Sequence, residues 1–298
     1  MTKEDAPRWM LCHTLANRFE ADLLTDALEK EGIPILVRSF EETAYDGLFV
    51  PQRGWGQILV PAQDITRARA VIAPLLETLE AQGPYQNLEE LDPLLWERLR
   101  KLDTEEVCRR AQVQWLEDLR AYRIPFLNGA YACRPEEEAV DVLEPLPSSR
   151  VDFQTGLFLL HYLLEARPVP LEGRWISEKE IPGGLQFFAG PHAFPLPWVL
   201  KSLDHDLNRF CEAAERLGGV PVEAGDAAYR FWVLPRIPVQ AVFWEGDDEF
   251  KASLHLRFDP SISRQLEALD TIWALVNVFC RHFRDAASQP ADLSSASP

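Results

Sequence analysis

The sequence predicts an α+β protein of two parts, and three observations carry that prediction. The chain has 298 residues, more than one domain at roughly 100–200 residues apiece. Its first stretch of about eighty residues reads strand, helix, strand, strand, helix. Near the other end, Ala252, Leu254, Leu256 and Phe258 alternate with Ser253, His255 and Arg257. That period of two marks a strand with one buried and one wet face, the habit of antiparallel sheets.

The elements of the first part follow from local chemistry. Arg8–Leu15 is strand-like, and Asn17 can cap a helix whose stripe is Phe19, Leu23, Leu24, Ala27 and Leu28. Gly32 ends it, since glycine has no Cβ to penalise positive φ. Ile33–Val37 reads as the next strand, with Pro34 near its start. After a loop rich in Glu, Asp and Gly comes the strand Gln57–Val60. Asp64 then caps a helix with Ile65, Ala68, Ile72, Leu75, Leu76 and Leu79 on one side, which Pro74 is expected to kink or interrupt. Helices over one sheet face make a small α+β sandwich.

Leu15–Ala21, Leu28–Pro34 and Ile58–Asp64 resemble a small bacterial family described as signal-transducing proteins. The resemblance covers about residues 8–79 and implies a ferredoxin-like or PII-like module over residues 1–80. A ligand or partner would then meet the loop Phe40–Gly56, which otherwise is a solvated connector. Trp55, between Gly54 and Gly56, is its cofactor-binding candidate, because an exposed indole can stack on a ligand.

Residues 81–92 lose apolar periodicity and contain Gly83-Pro84, so they read as a linker to a larger α+β domain over 93–285. Helices are expected at Pro93–Lys101 and Thr104–Gln112, the latter capped by Asp103 and Glu106. Tyr122–Leu127, Asn128-Gly129 and Ala130–Cys133 read as a hairpin turning on Asn-Gly. Thr155–Glu165 is apolar nearly all round and belongs at the centre of its domain. Asp204 or Asp206 caps a helix that ends at Gly218-Gly219. Strands follow at Ala228–Leu234, Pro238–Trp244 and Ala252–Phe258, with a closing helix at Leu269–Arg284. Residues 286–298, rich in Ala, Ser and Pro, are expected to be a disordered tail.

Gly183–Pro195, Leu217–Gly219, Gly225–Ala227, Leu234–Pro238, Trp244–Phe250 and Phe258-Asp259, in that order, resemble an uncharacterised prokaryotic domain common in anaerobes. The resemblance covers roughly residues 92–285 and names no activity. Some relatives carry a cysteine-rich, iron–sulfur-type segment that this chain does not share.

Composition narrows the function classes. Asp and Glu number 47 against 30 Lys and Arg, a formal net charge of −17. Residues 1–90 hold −7 of it and the remainder −10, so the charge belongs to the whole surface. Such a surface repels polyanions, and neither nucleic acid nor an anionic membrane is expected as a partner. No apolar run approaches the roughly 18–20 residues of a membrane span, and the N-terminus lacks a signal-peptide core, so a cytoplasmic protein is expected. The five cysteines are scattered without CxxC spacing, which gives no iron–sulfur motif. GxxxxGK[ST], GxSxG and HExxH are missing too.

Three polar features carry the candidate chemistry. His192 sits in the proline-fixed loop Gly190–Pro195, where an imidazole can serve as base or metal ligand. Asp226 precedes a strand. Glu245, Asp247, Asp248 and Glu249 crowd four carboxylates into one turn, where they are either solvated or gathered on a hard divalent cation. Alternatively the turn is architecture, with Trp244 and Phe250 packed as a cross-strand pair. His161 and Glu165, one helical turn apart, either share a metal or proton or form a hydrogen-bonded core pair. Arg236 either binds an anionic ligand or pairs with the acidic turn.

The leading expectation is therefore a regulatory or interaction protein binding a small metabolite or protein partner, with homo-oligomerisation open. The first alternative is a metal- or cofactor-dependent enzyme using His192, Asp226 and the turn Glu245–Glu249. The second is a haem or corrinoid binder with His161 or His192 as axial ligand.

Overall fold

The computed structural model of the chain describes residues 9–15, 18–39, 56–81, 87–247 and 250–288. Asn17, the loop containing Trp55, Gly83-Pro84, Asp248, Glu249 and residues 289–298 lie outside the described residues. The chain divides into two compact units, Met1–Pro84 with Gln186–Ala193, and Tyr85–Leu185 with Phe194–Pro298.

In the first unit, β1 (Trp9–Leu15), α1 (Arg18–Lys30), β2 (Leu36–Ser39), β3 (Gly56–Pro61) and α2 (Ile65–Ala81) follow the predicted order. Strand β3 lies between β1 and β2, antiparallel to both. Strands β1 and β2 with α1 therefore form a split β-α-β unit. Leu24 and Leu28 of α1, Ile58 and Val60 of β3, and Ala68 and Ile72 of α2 share its core. Gly32, at φ +66°, ends α1 as predicted. The next N–H, that of Ile33, reaches back to the Leu28 carbonyl, so Ile33 is drawn into the core and β2 starts only at Leu36. Pro74 does not interrupt α2, which runs unbroken from Ile65 to Ala81. Apolar packing on both sides of it, by Ile72 and Leu75, holds the turn that loses a backbone donor.

The second unit is α+β with antiparallel sheets. Strands β4 (Gln114–Leu116), β5 (Ala121–Phe126), β6 (Gly129–Arg134) and β7 (Ala139–Glu144) form one meander. The other sheet has the order β11-β10-β9-β8, from β8 (Val220-Pro221), β9 (Ala227–Leu234), β10 (Ile237–Trp244) and β11 (Ser253–Phe258). The main helices here are α3 (Pro93–Arg100), α4 (Thr104–Ala111), α5 (Phe153–Glu165), α6 (Leu196–Ser202), α7 (Leu207–Arg216) and α8 (Leu269–Ser288). Four of them start on an aspartate whose carboxylate accepts a backbone N–H: Asp92, Asp103, Asp152 and Asp206. Helix α5 is buried along most of its length, as its apolar sequence requires. Phe279 and Phe283 of α8 meet Phe231 of β9, and Phe210 of α7 stacks on Phe243 of β10 at 5.1 Å. Those contacts cover the inner face of the β8–β11 sheet.

Two details depart from expectation. The β5–β6 turn falls on Leu127-Asn128, and Leu127, not Asn128-Gly129, takes positive φ, at +51°. Gly129 is needed inside β6, because a Cβ there would lie 2.5 Å from the Pro145 carbonyl oxygen. Bonds from the Leu127 N–H to Val233 and from Asn128 Nδ2 to Arg216 hold the turn. The closing helix also continues to Ser288, with Ala286 and Ala287 buried, so the predicted tail does not start at Ala286. Among the described residues no helix is long and apolar enough to cross a membrane.

Candidate functional site

Where it is described, the acidic turn is held by hydrogen bonds to backbone groups. Asp226 Oδ2 accepts the Glu245 N–H at 2.7 Å, and the Asp226 N–H donates to the Phe243 carbonyl at 3.0 Å. Asp226 and Glu245 are thus brought together, as a clamp between the start of β9 and the end of β10. Gly225 allows the approach, since a Cβ there would meet the Phe243 oxygen at 2.6 Å. Asp247 exchanges two bonds with Phe250: its N–H donates at 2.8 Å and its Oδ1 accepts at 2.6 Å. Trp244 faces Ser253 across the strands, and Phe250 is 70% exposed, so the two rings do not form the cross-strand pair. His192 lies in the turn Gly190–His192, its ring stacked on Phe187 at 4.4 Å. It belongs to the segment grouped with the first unit, and Glu245 and Asp247 to the second. Among the described residues no three His, Cys, Asp or Glu side chains are grouped to hold a metal ion.

His161 and Glu165 form the hydrogen-bonded pair, with Nδ1 to Oε1 at 2.6 Å. Glu165 also accepts the Glu267 N–H. Burial pushes its carboxyl up, but these two bonds and the His161 and Arg98 charges outweigh burial and hold it low. Arg236 has no ion pair with the acidic turn among the described residues. Its Nε donates to the Arg110 carbonyl, and its backbone N–H donates to the Tyr162 hydroxyl.

Two polar groups escaped the sequence reading. One is His282, fully buried on α8. Its Nδ1 accepts the Ser148 N–H at 3.2 Å, which leaves Nε2 to carry the proton toward the Tyr131 hydroxyl at 2.9 Å. Burial, then the neighbouring Arg281 charge, pushes its pKa down to about 3. Arg281 itself pairs with buried Asp152 at 2.5 Å.

The other group lines a recess of about 170 Å³ on the outer face of the β8–β11 sheet. Strand register aligns its floor and ends. Trp232 faces Pro238, and Val239 faces Phe258, which in turn bridges Ile176. Trp232, Pro238, Asp259 and Trp175 therefore fall in one row, whose ends are roughly 14 Å apart at three strand spacings. The indoles remain exposed, Trp175 at 38% and Trp232 at 45%. Arg230 occupies the next row, opposite Gln240. Its Nε is buried and has no hydrogen-bond partner. Asp259 fastens the wall: its oxygens accept N–H groups from Glu172 at 3.1 Å, Gly173 at 2.9 Å and Ser261 at 3.0 Å. Burial raises this carboxyl, but the Ser261 bonds, followed by those of Glu172 and Gly173, win and hold it low. Asp259 is therefore an engaged structural anion, leaving Arg230 as the unmatched charge of the lining.

A wider, more open hollow of about 430 Å³ is lined by Thr104, Glu105, Cys108, Trp115 and Glu117. Burial pushes the Cys108 thiol up, against the Trp115 N–H and with the Glu105 charge, so it stays protonated. The hollow offers no unmatched buried donor or acceptor, which sets it behind the Arg230 recess.

A family model described as a domain of unknown function, DUF3786, matches residues 103–282. The chain belongs to this family. Every residue lining the Arg230 recess lies inside the DUF3786 match, as do His161, His192, Asp226, Arg236 and the acidic turn. Trp55 lies outside it. No curated protein and no solved structure matches the chain.

Proposed function

We propose that this is a cytoplasmic regulatory or interaction protein that binds a small metabolite in the Arg230 recess of its DUF3786 domain. One observation carries the reading: a guanidinium Nε buried without a partner, beside two exposed indoles. Leaving such a donor unsatisfied costs about 1–3 kcal/mol, a standing penalty that a bound acceptor removes. The recess lining supplies a cation, two stacking surfaces and an engaged carboxylate, which is equipment for holding a ligand more than for transforming one. The split β-α-β order of the first unit supports reading that unit as a ferredoxin-like signalling module. The metal-enzyme alternative has weaker support, because Asp226 and Asp247 each commit one carboxylate oxygen to a backbone N–H and no group of three metal-binding side chains occurs among the described residues.

A thermal-shift panel of metabolites on the full chain tests the reading. Compounds that raise the unfolding temperature of the wild type and leave Arg230→Met unmoved are expected. If no compound stabilises the wild type, or if every stabilising compound works equally on Arg230→Met, the proposal is wrong.

A further inference from the structure

Resting on that binding reading, we infer that the recess takes a small carboxylate with a flat apolar body, an acid of benzoate size. The charge follows from Arg230. A guanidinium offers Nε and one Nη as a planar fork that matches the two oxygens of a carboxylate. Here Nε is buried and unpaired, so the fork lacks its acceptor. The neighbour in its row, Gln240, carries an amide oxygen but makes no hydrogen bond to this Nε. Gln240 faces Arg230 on one side of β10, and Arg257 faces Gln240 on the other, so a second cation flanks the site. The one carboxylate in the lining, Asp259, already accepts three backbone N–H groups and is poorly placed to attract a ligand cation.

The body of the ligand follows from the walls. Trp175 and Trp232 stand at opposite ends of the row with Pro238 on the floor between them. Indoles and a proline ring favour a flat apolar group over a hydrated ion. The size follows from the volume. About 170 Å³ is well below the roughly 300–1,000 Å³ of sites for drug-sized ligands, which leaves room for one ring or a short branched chain. Asp259 is a positioning residue: through Glu172 and Gly173 it fixes the loop that delivers Trp175 to the rim.

Isothermal titration of the full chain with benzoate, benzamide, benzylamine and inorganic phosphate tests the inference. Benzoate is expected to bind with a Kd of roughly 0.1–1 mM, as suits so small a ligand. Arg230→Gln is expected to weaken it by about ten- to a hundred-fold, the range of one lost charge-assisted bond. Trp232→Ala, at an exposed position that tolerates truncation, should weaken it several-fold. Benzamide should bind at least about ten-fold more weakly than benzoate. Benzamide or benzylamine matching benzoate, with dependence on Arg230, would overturn the carboxylate while leaving the recess as a binding site. Phosphate binding as tightly as benzoate would overturn the apolar body. Benzoate affinity unchanged in Arg230→Gln would overturn the location, and failure of all four probes would overturn both this inference and the binding reading.

Discussion

Lowering the pH from 7.5 to 5 should destabilise the second unit through a single buried imidazole. His282 is fully buried, and its Nδ1 accepts the Ser148 N–H, so a second ring proton would point at a hydrogen already there. Its pKa is pushed down to about 3 from an ordinary value of 6.5. The unfolded chain therefore takes up a proton below about pH 6.5 that the folded chain refuses. A depressed folded pKa gives stability that is whole above 6.5 and is lost as the pH falls toward 3. At 1.36 kcal/mol per pH unit, the loss by pH 5 is about 2 kcal/mol. Carboxylates held low, such as Asp152 and Asp259, titrate below this window and do not mimic it. Urea unfolding between pH 7.5 and 5, followed on the second unit, measures the slope. His282→Asn keeps an acceptor for Ser148 but does not titrate, and should be less stable at pH 7.5 yet flat from 6.5 to 5. Equal slopes in wild type and variant would refute the reasoning.

Three other perturbations bear on the account. Arg230→Met removes the unsatisfied Nε and should raise stability by about 1 kcal/mol while abolishing ligand binding; a chemical-denaturation midpoint that falls instead would show that Arg230 has a structural partner. Asp152→Ala strips the carboxylate from largely buried Arg281, 12% exposed, and should cost about 3–5 kcal/mol, read from the urea midpoint, and a loss under 1 kcal/mol would contradict the pairing. Asp226→Ala should speed amide exchange at Glu245 through loss of its acceptor, leaving exchange in α5 unchanged; protection that survives at Glu245 would dismiss the clamp.

Much of the architecture was legible in the sequence because local signals agreed with tertiary ones. Gly32, Asp103 and Asp206 end or start helices by chemistry confined to a few residues, and all three do so in the structure. The alternation of Ser253–Phe258 identified the wet sheet face that carries the recess. The recess itself was not legible. Trp175, Arg230 and Asp259 come from three separate segments, and only strand register sets Trp175 and Asp259 level with Trp232 and Pro238. A usable signal was present in β9, where Arg230 and Trp232 alternate with Tyr229, Phe231 and Val233 just as Arg257 alternates in β11. His282 was hidden for another reason. It falls on the apolar stripe of α8 with Phe279, where spacing marks it as buried, but its partner Tyr131 is 151 residues away. For Asp226, the sequence signalled a turn before a strand, and the structure adds the N–H it holds.

In the proposed site, Arg230 Nε waits for an acceptor carried by a ligand. Proton–nitrogen NMR of the arginine Nε–H groups tests it most directly, because a buried Nε–H exchanges slowly enough to be seen. On adding benzoate, the Arg230 signal is expected to shift downfield, with Arg123 and Arg134, already paired to Glu144 and Glu137, unmoved. An Arg230 signal that stays in place at saturating benzoate while others shift would contradict it.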